Sequence, residues 1–97
     1  MLNNNQKRQL KGLGNTLKYK YQIGKNGLTE TLLGALDEAL KAHELIKISV
    51  LKTLDMPVME IALDISSKLN AEVVQIIGRT ILLFRINKED NKIKLVK

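Results

Sequence analysis

The chain has 97 residues, 44% of them hydrophobic and none of them cysteine. That supports one compact domain around one core and excludes disulfides, thiolate metal sites and cysteine nucleophiles. Lysine and arginine number 16 against 10 aspartates and glutamates, a net charge of +6, which admits a polyanionic partner without naming it.

Leu10, Leu13 and Leu17 recur at helical spacing and predict a first helix over 4–17, with Lys7, Lys11 and Lys18 on a separate arc. Gly12 and Gly14 each weaken it by about 1 kcal/mol relative to alanine, so it depends on docking against the rest of the fold. Residues 19–23 then predict a short edge or near-edge strand running into Gly24-Lys25-Asn26-Gly27. A second helix follows on the stripe Leu28, Leu32, Ala35, Leu36, Ala39 and Leu40, with Thr29 as a cap candidate and Glu30 and Lys41 placed to suit the helix dipole. Ile46, Ile48 and Val50 alternate with Lys47 and Ser49, the pattern of a strand near the sheet centre with one buried face.

Asp55-Met56-Pro57 offers a cap and a first-turn proline for a third helix, whose stripe is Met59, Ala62, Ile65 and Leu69 as far as Asn70. Residues 72–77 and 80–86 form a terminal hairpin around Gly78-Arg79. After it, 87–97 carries many charges and few apolar anchors, and a mobile tail is expected. The order α-β-α-β-α-β-β defines an α/β chain with a four-stranded mixed sheet and packed helices, the helix-separated strands parallel and the last pair antiparallel. Apolar runs such as 81–84 fall far short of the roughly 20 residues that span a bilayer. The N-terminal residues lack the apolar stretch of a secretory signal, so a cytoplasmic, membrane-free protein is expected.

Charge is segregated along the chain. Residues 1–27 carry +6 with no acid, residues 28–72 carry −4, and residues 73–97 return +4. A catalytic reading finds little support: His43 is the one histidine, at a helix end where an imidazole meets terminal carbonyls. The carboxylates Asp37, Glu38, Asp55, Glu60 and Asp64 fit capping or solvated faces. No enzyme, metal site or cofactor is expected. Gly24-Lys25-Asn26-Gly27 is more informative. Four such residues alone describe a tight turn. Between a strand and a helix start, however, glycines that let a phosphodiester approach, a lysine and free helix amides together suit a phosphate clamp of the kind a G-x-x-G loop forms in KH domains. Tyr19, Tyr21 and Phe84 are too few for a base-stacking array, so recognition is expected to rest on backbone charge and RNA shape.

The blocks 22–30 (Gln22-Ile23-Gly24-Lys25-Asn26-Gly27-Leu28-Thr29-Glu30), 43–47 (His43-Glu44-Leu45-Ile46-Lys47) and 74–80 (Val74-Gln75-Ile76-Ile77-Gly78-Arg79-Thr80), with Leu83-Phe84-Arg85, resemble the CRM domain (chloroplast RNA splicing and ribosome maturation) over nearly the whole chain. Phe84 departs from the tyrosine common there. The resemblance implies a single domain over 1–97 with a fold similar to the C-terminal domain of translation initiation factor three. It also implies RNA binding and, from the stand-alone bacterial members, association with precursor large-subunit ribosomal RNA. The family's loop maps onto Gly24, Lys25, Asn26 and Gly27. The charge pattern of this chain extends the expected RNA surface to Lys7, Lys11, Lys18, Lys20, Arg79 and Arg85, on a monomer. A different class of reading makes the chain a protein-interaction adaptor docking through its acidic middle, including Asp37, Glu38, Glu60 and Asp64.

Overall fold

In the computed structural model, residues 2–17 and 20–97 are described. They form α1 (Asn4–Gly14), β1 (Lys20–Ile23), α2 (Glu30–His43), β2 (Leu45–Val50), α3 (Val58–Leu69), β3 (Glu72–Ile77) and β4 (Thr80–Phe84). The strands make one four-stranded sheet in the order β1-β2-β4-β3. β1 and β2 are parallel and joined through α2, while β4 pairs antiparallel with both β2 and β3. The protein is thus an α/β chain with a mixed sheet, with β1 at an edge and β2 inside.

The period-two pattern of β2 divides the molecule into layers. Ile46, Ile48 and Val50 point to one face and join Ile23, Ile81 and Leu83 under α2 and α3, which bury Leu36, Leu40, Ile61 and Ile65 there. Leu45, Lys47 and Ser49 point the other way. On that second face a smaller core collects Leu2, Leu10, Leu45, Val74, Leu82 and Phe84, with Leu17, Ile93 and Leu95 at its margin. α1 covers only part of this face. Its Leu10 is fully buried, and Gly14 lies so close to β4 that an added Cβ would stand 2.8 Å from a methyl of Leu82. The glycine that weakens the helix locally is what lets its end reach the sheet.

Three local expectations are revised. α1 ends at Gly14 with Asn15 as its C-cap, whose N–H reaches Lys11 and Gly12 carbonyls, so Leu17 lies beyond the helix. α3 begins after Pro57, which caps it without a side-chain bond, so neither Asp55 nor a first-turn proline performs the expected role. The buried stripe of α3 is Ile61, Ala62 and Ile65, whereas Met59 is 57% exposed. Apolar residues cover more than half of the circumference of this helix, and docking selects which of them turn inward. Elsewhere Thr29 caps α2 by accepting the Leu32 N–H at 3.1 Å, and Gly78 takes φ 58° in the two-residue hairpin turn.

Residues 87–97 form no helix or strand, yet they are anchored by polar groups that composition does not reveal. Glu44, directly after α2 and wholly buried, adopts φ 63°. Its carboxylate accepts from the Asn87 N–H at 2.7 Å, the Asn91 side chain at 2.8 Å, and the Lys92 and Ile93 N–H groups at 2.5 and 2.6 Å. Further on, the tail runs along α1. Gln6 donates to the Val96 carbonyl at 2.9 Å, while Gln9 donates to the Lys94 carbonyl at 2.8 Å and accepts from the Val96 N–H at 2.9 Å. Burial pushes the Glu44 carboxyl up, and the bonds from Asn87, Ile93, Lys92 and Asn91 outweigh it and hold it below the usual carboxylate range.

Candidate nucleic-acid interface

Beyond α1 the second face of the sheet lies open. The register sets Lys20 beside Lys47 and, two residues on, Gln22 beside Ser49, with Tyr21 and Ile48 facing the opposite core. One residue past Gln22 the strand ends at Ile23 and enters the glycine loop. A polar lane therefore runs along β1 and β2 from the two lysines to Gly24. At its start the sheet and the end of α1 enclose a hollow of about 230 Å³, rimmed by Lys11, Lys20 and Lys47, with Gln75, Thr80 and Leu82 among its lining and no carboxylate. Among the described residues, the side chains of Lys11, Lys20, Lys47, Gln75 and Thr80 form no hydrogen bond or ion pair. Three lysines line one hollow in which no described carboxylate neutralises them, so the field there favours an anion.

The loop itself is a hydrogen-bonded turn, with the Gly27 N–H donating to the Gly24 carbonyl at 3.0 Å and with Lys25 and Asn26 exposed. Its two glycines differ. Gly27 has φ 71°, a conformation that disfavours any side chain. Gly24 has no positive φ, and a Cβ there would make only an ordinary 3.7 Å contact with Leu51. The fold needs the second glycine and has room for a methyl at the first, which leaves main chain bare at the end of the polar lane. The start of α2 contributes less positive character than its sequence position implies, because Thr29 takes one amide and Glu30 stands in the first turn. On the side away from the lane, the loop borders a hollow shared with Asp64 and Lys68, where charge is mixed.

The remaining residues expected at the surface fall into different places. Lys7 lies one turn before Lys11 on α1 and is half-buried. Lys18 lies outside the described residues, as does Tyr19. The two arginines are directed into the protein. Arg79 donates to the carbonyls of Val50 at 3.0 Å, Leu51 at 2.8 Å and Leu54 at 3.4 Å, tying the hairpin turn to the segment between β2 and α3. Arg85 lies on the helical side, bonded to the Asp37 carboxylate at 2.7 Å, the Leu69 carbonyl at 2.8 Å and the Asp37 carbonyl at 3.1 Å. That guanidinium, with help from Lys41, draws the Asp37 carboxyl below its ordinary range against the effect of burial. Tyr21 packs on the main core, and Phe84 is 3% exposed in the second. Sequence reasoning placed Lys47 on the polar side of its strand and went no further. Its neighbours in the hollow come from α1, β3 and β4, and only the strand order brings them together. Among the described residues no group of three or more histidines, aspartates or glutamates could hold a metal ion, and no helix is long and apolar enough to cross a membrane.

A basic hollow lined by no carboxylate, on a sheet that ends in a glycine loop, defines a class of small α/β domain, and comparison with known proteins supplies the family. Residues 2–85 match the model of the CRS1 / YhbY (CRM) domain, and the chain belongs to that family. A Bacillus subtilis protein bearing the name "Probable RNA-binding protein YqeI" is 36% identical over 95 residues, covering 98% of this chain and 99% of its own length. A Haemophilus influenzae protein named as an RNA-binding protein is 38% identical over 89 residues, covering 91% of this chain and 89% of its own. The solution structure of a hypothetical Staphylococcus aureus protein, described as an RNA-binding candidate, superposes with a TM-score of 0.81 at 36% identity over 99% of this chain and 100% of that one.

Proposed function

We propose that this protein binds RNA without catalysing a covalent step, and that it acts as a monomeric, cytoplasmic assembly factor on precursor large-subunit ribosomal RNA. The observation that carries the reading is the set of lysines on the open sheet face and glycine loop that have no partner among the described residues. Lys11, Lys20 and Lys47 surround the open sheet face, and Lys25 stands at the end of the polar lane, none of them engaged by a carboxylate among the described residues. Membership of a family whose relatives are named for RNA binding supports it. The sugar-phosphate backbone would lie along the lane from Lys47 towards Gly24, where the bare main chain permits close approach. Lys7 extends the basic surface along α1, and Lys18 is assigned to it from the charge pattern of the sequence alone. Arg79 and Arg85 hold the scaffold in shape.

In the adaptor reading, Asp37 is already engaged by Arg85 and Lys41 and Glu38 by Lys41, which leaves Glu60 and Asp64 to carry the docking. Crosslinking in cells followed by sequencing of the bound RNA tests the assignment, together with sedimentation of lysate. Salt-sensitive co-migration with large-subunit precursors and crosslinks in their ribosomal RNA are expected. Association that survives RNase treatment would favour the adaptor instead.

A further inference from the structure

Gln75 owes its position in the hollow to an irregularity of β3. Pairing steps from Val73 opposite Leu83 to Gln75 opposite Leu82, so Val74 is an extra residue. Strict alternation would send Val73 and Gln75 to the same face. Instead Val73 packs on the helical core, Val74 is buried in the smaller core beneath α1, and Gln75 turns with Leu82 towards the open face. Bulges disrupt the ladder, and they recur beside functional sites because they re-aim a side chain. Here the re-aimed group is an amide with no intramolecular partner among the described residues, next to the equally unengaged hydroxyl of Thr80.

We propose that the hollow receives one unstacked nucleotide of a single-stranded RNA. The base edge meets the Gln75 amide and the Thr80 hydroxyl, its face rests on Leu82, and the adjoining phosphates meet Lys11, Lys20 and Lys47. The inference rests on the RNA-binding reading and deepens it, because the sequence offers no arrangement for reading bases. Three features select this ligand. The volume of about 230 Å³ lies below the range of roughly 300–1,000 Å³ that suits drug-sized molecules, and fits one base more readily than a stacked run. Donor and acceptor groups stand beside an apolar floor, with cations at the rim, which matches a nucleotide's edge, face and phosphate in turn. A paired base in an A-form duplex keeps its edge from such a recess, whereas single strands can splay a base out.

The test combines RNA titrations with NMR of the Gln75 side-chain amide, using short homopolymers of each of the four bases. Wild type should prefer one base by about tenfold, the scale of one good amide-to-base pairing. Gln75→Leu should level that preference while retaining the affinity for the least favoured base. Lys47→Ala should weaken all four alike and reduce the salt slope by about 0.7. In wild type the Gln75 amide resonance should shift on adding the preferred homopolymer, a readout that holds even if Gln75→Leu folds poorly. Equal affinity for all four bases, or an unmoved Gln75 resonance in protein that binds RNA, would overturn the subsite and leave the broader function standing. A shift as large with a free mononucleotide would overturn the assignment to an RNA strand. No RNA binding by wild type at all would remove both readings.

Discussion

Arg79 and Arg85 carry the same formal charge as Lys20 and Lys47, and the molecule uses them in opposite ways. Each guanidinium donates from two of its nitrogens to fixed carbonyls, in the case of Arg85 with a carboxylate as well, so it fastens one element to another. The lysines stand around an unfilled hollow with no partner among the described residues. Position in the chain does not separate the two groups, and net charge does not either. Partner geometry does. Changes to the fastening set should therefore lower stability with little direct effect on RNA contacts, and changes to the free set should do the reverse.

The largest effect is expected at Glu44, the acidic member of the fastening set. Glu44→Gln replaces an acceptor with a donor facing main-chain N–H groups, and should lower stability by about 3 kcal/mol. For a domain of this size that is roughly 12–24 °C in the melting midpoint, and exchange of the Lys92 and Ile93 amides should accelerate with it. The same carboxylate sets an acid limb. Its native value and that of Asp37 lie below the ordinary 4.5 and 3.8. The stability they add is therefore complete above those ordinary values and is lost as pH falls through the lowered native ones. Denaturant melts across this acid range should show the decline in wild type and a shallower one in Glu44→Gln.

Arg85→Ala comes next, with about 1–2 kcal/mol expected from its half-buried bonds to Asp37 and two carbonyls. If it proved neutral in melting yet abolished RNA binding, the division between fastening and free cations would fail. In the free set, Lys25→Asp with Asn26→Asp should remove most RNA affinity while stability changes by no more than about 0.5 kcal/mol, read by melting and titration at one salt concentration. The smallest test compares the loop glycines. Gly27→Ala, at φ 71°, should cost about 1 kcal/mol. Gly24→Ala should leave the melt unchanged and weaken RNA binding alone. Equal loss of stability at both would return the loop to the role of a simple turn.

What could be read in advance follows the range of the interactions concerned. The order of helices and strands was legible because each element declares its own period, as in the alternation of Ile46, Ile48 and Val50 or the capped stripe behind Thr29. The hairpin was legible from Gly78-Arg79, and the loop from its glycines. The inward face of α3 was not, because Met59 and Ile61 are equally apolar and only the sheet distinguishes them. The anchoring of the tail was not legible, since its main support is Glu44, more than 40 residues earlier, and a lone glutamate after a helix looks like any solvated one. Lys47 was legible as a polar strand residue but not as part of a site, because its companions arrive through the β1-β2-β4-β3 order and the Val74 bulge. The charge blocks placed the arginines with the lysines, for composition does not say which carbonyls a guanidinium will find.

In this picture the unengaged lysines on the open face and loop hold RNA by its phosphates. That is tested most directly by measuring RNA affinity across a series of salt concentrations for wild type and for Lys20→Ala with Lys47→Ala. If about five phosphates of a single strand are neutralised, the log-log slope for wild type should be near −3.5, and the double variant should lose about 1.4 of it while melting like wild type. A wild-type slope near zero, or a double variant with the full slope, would mean that these lysines do not hold the phosphates.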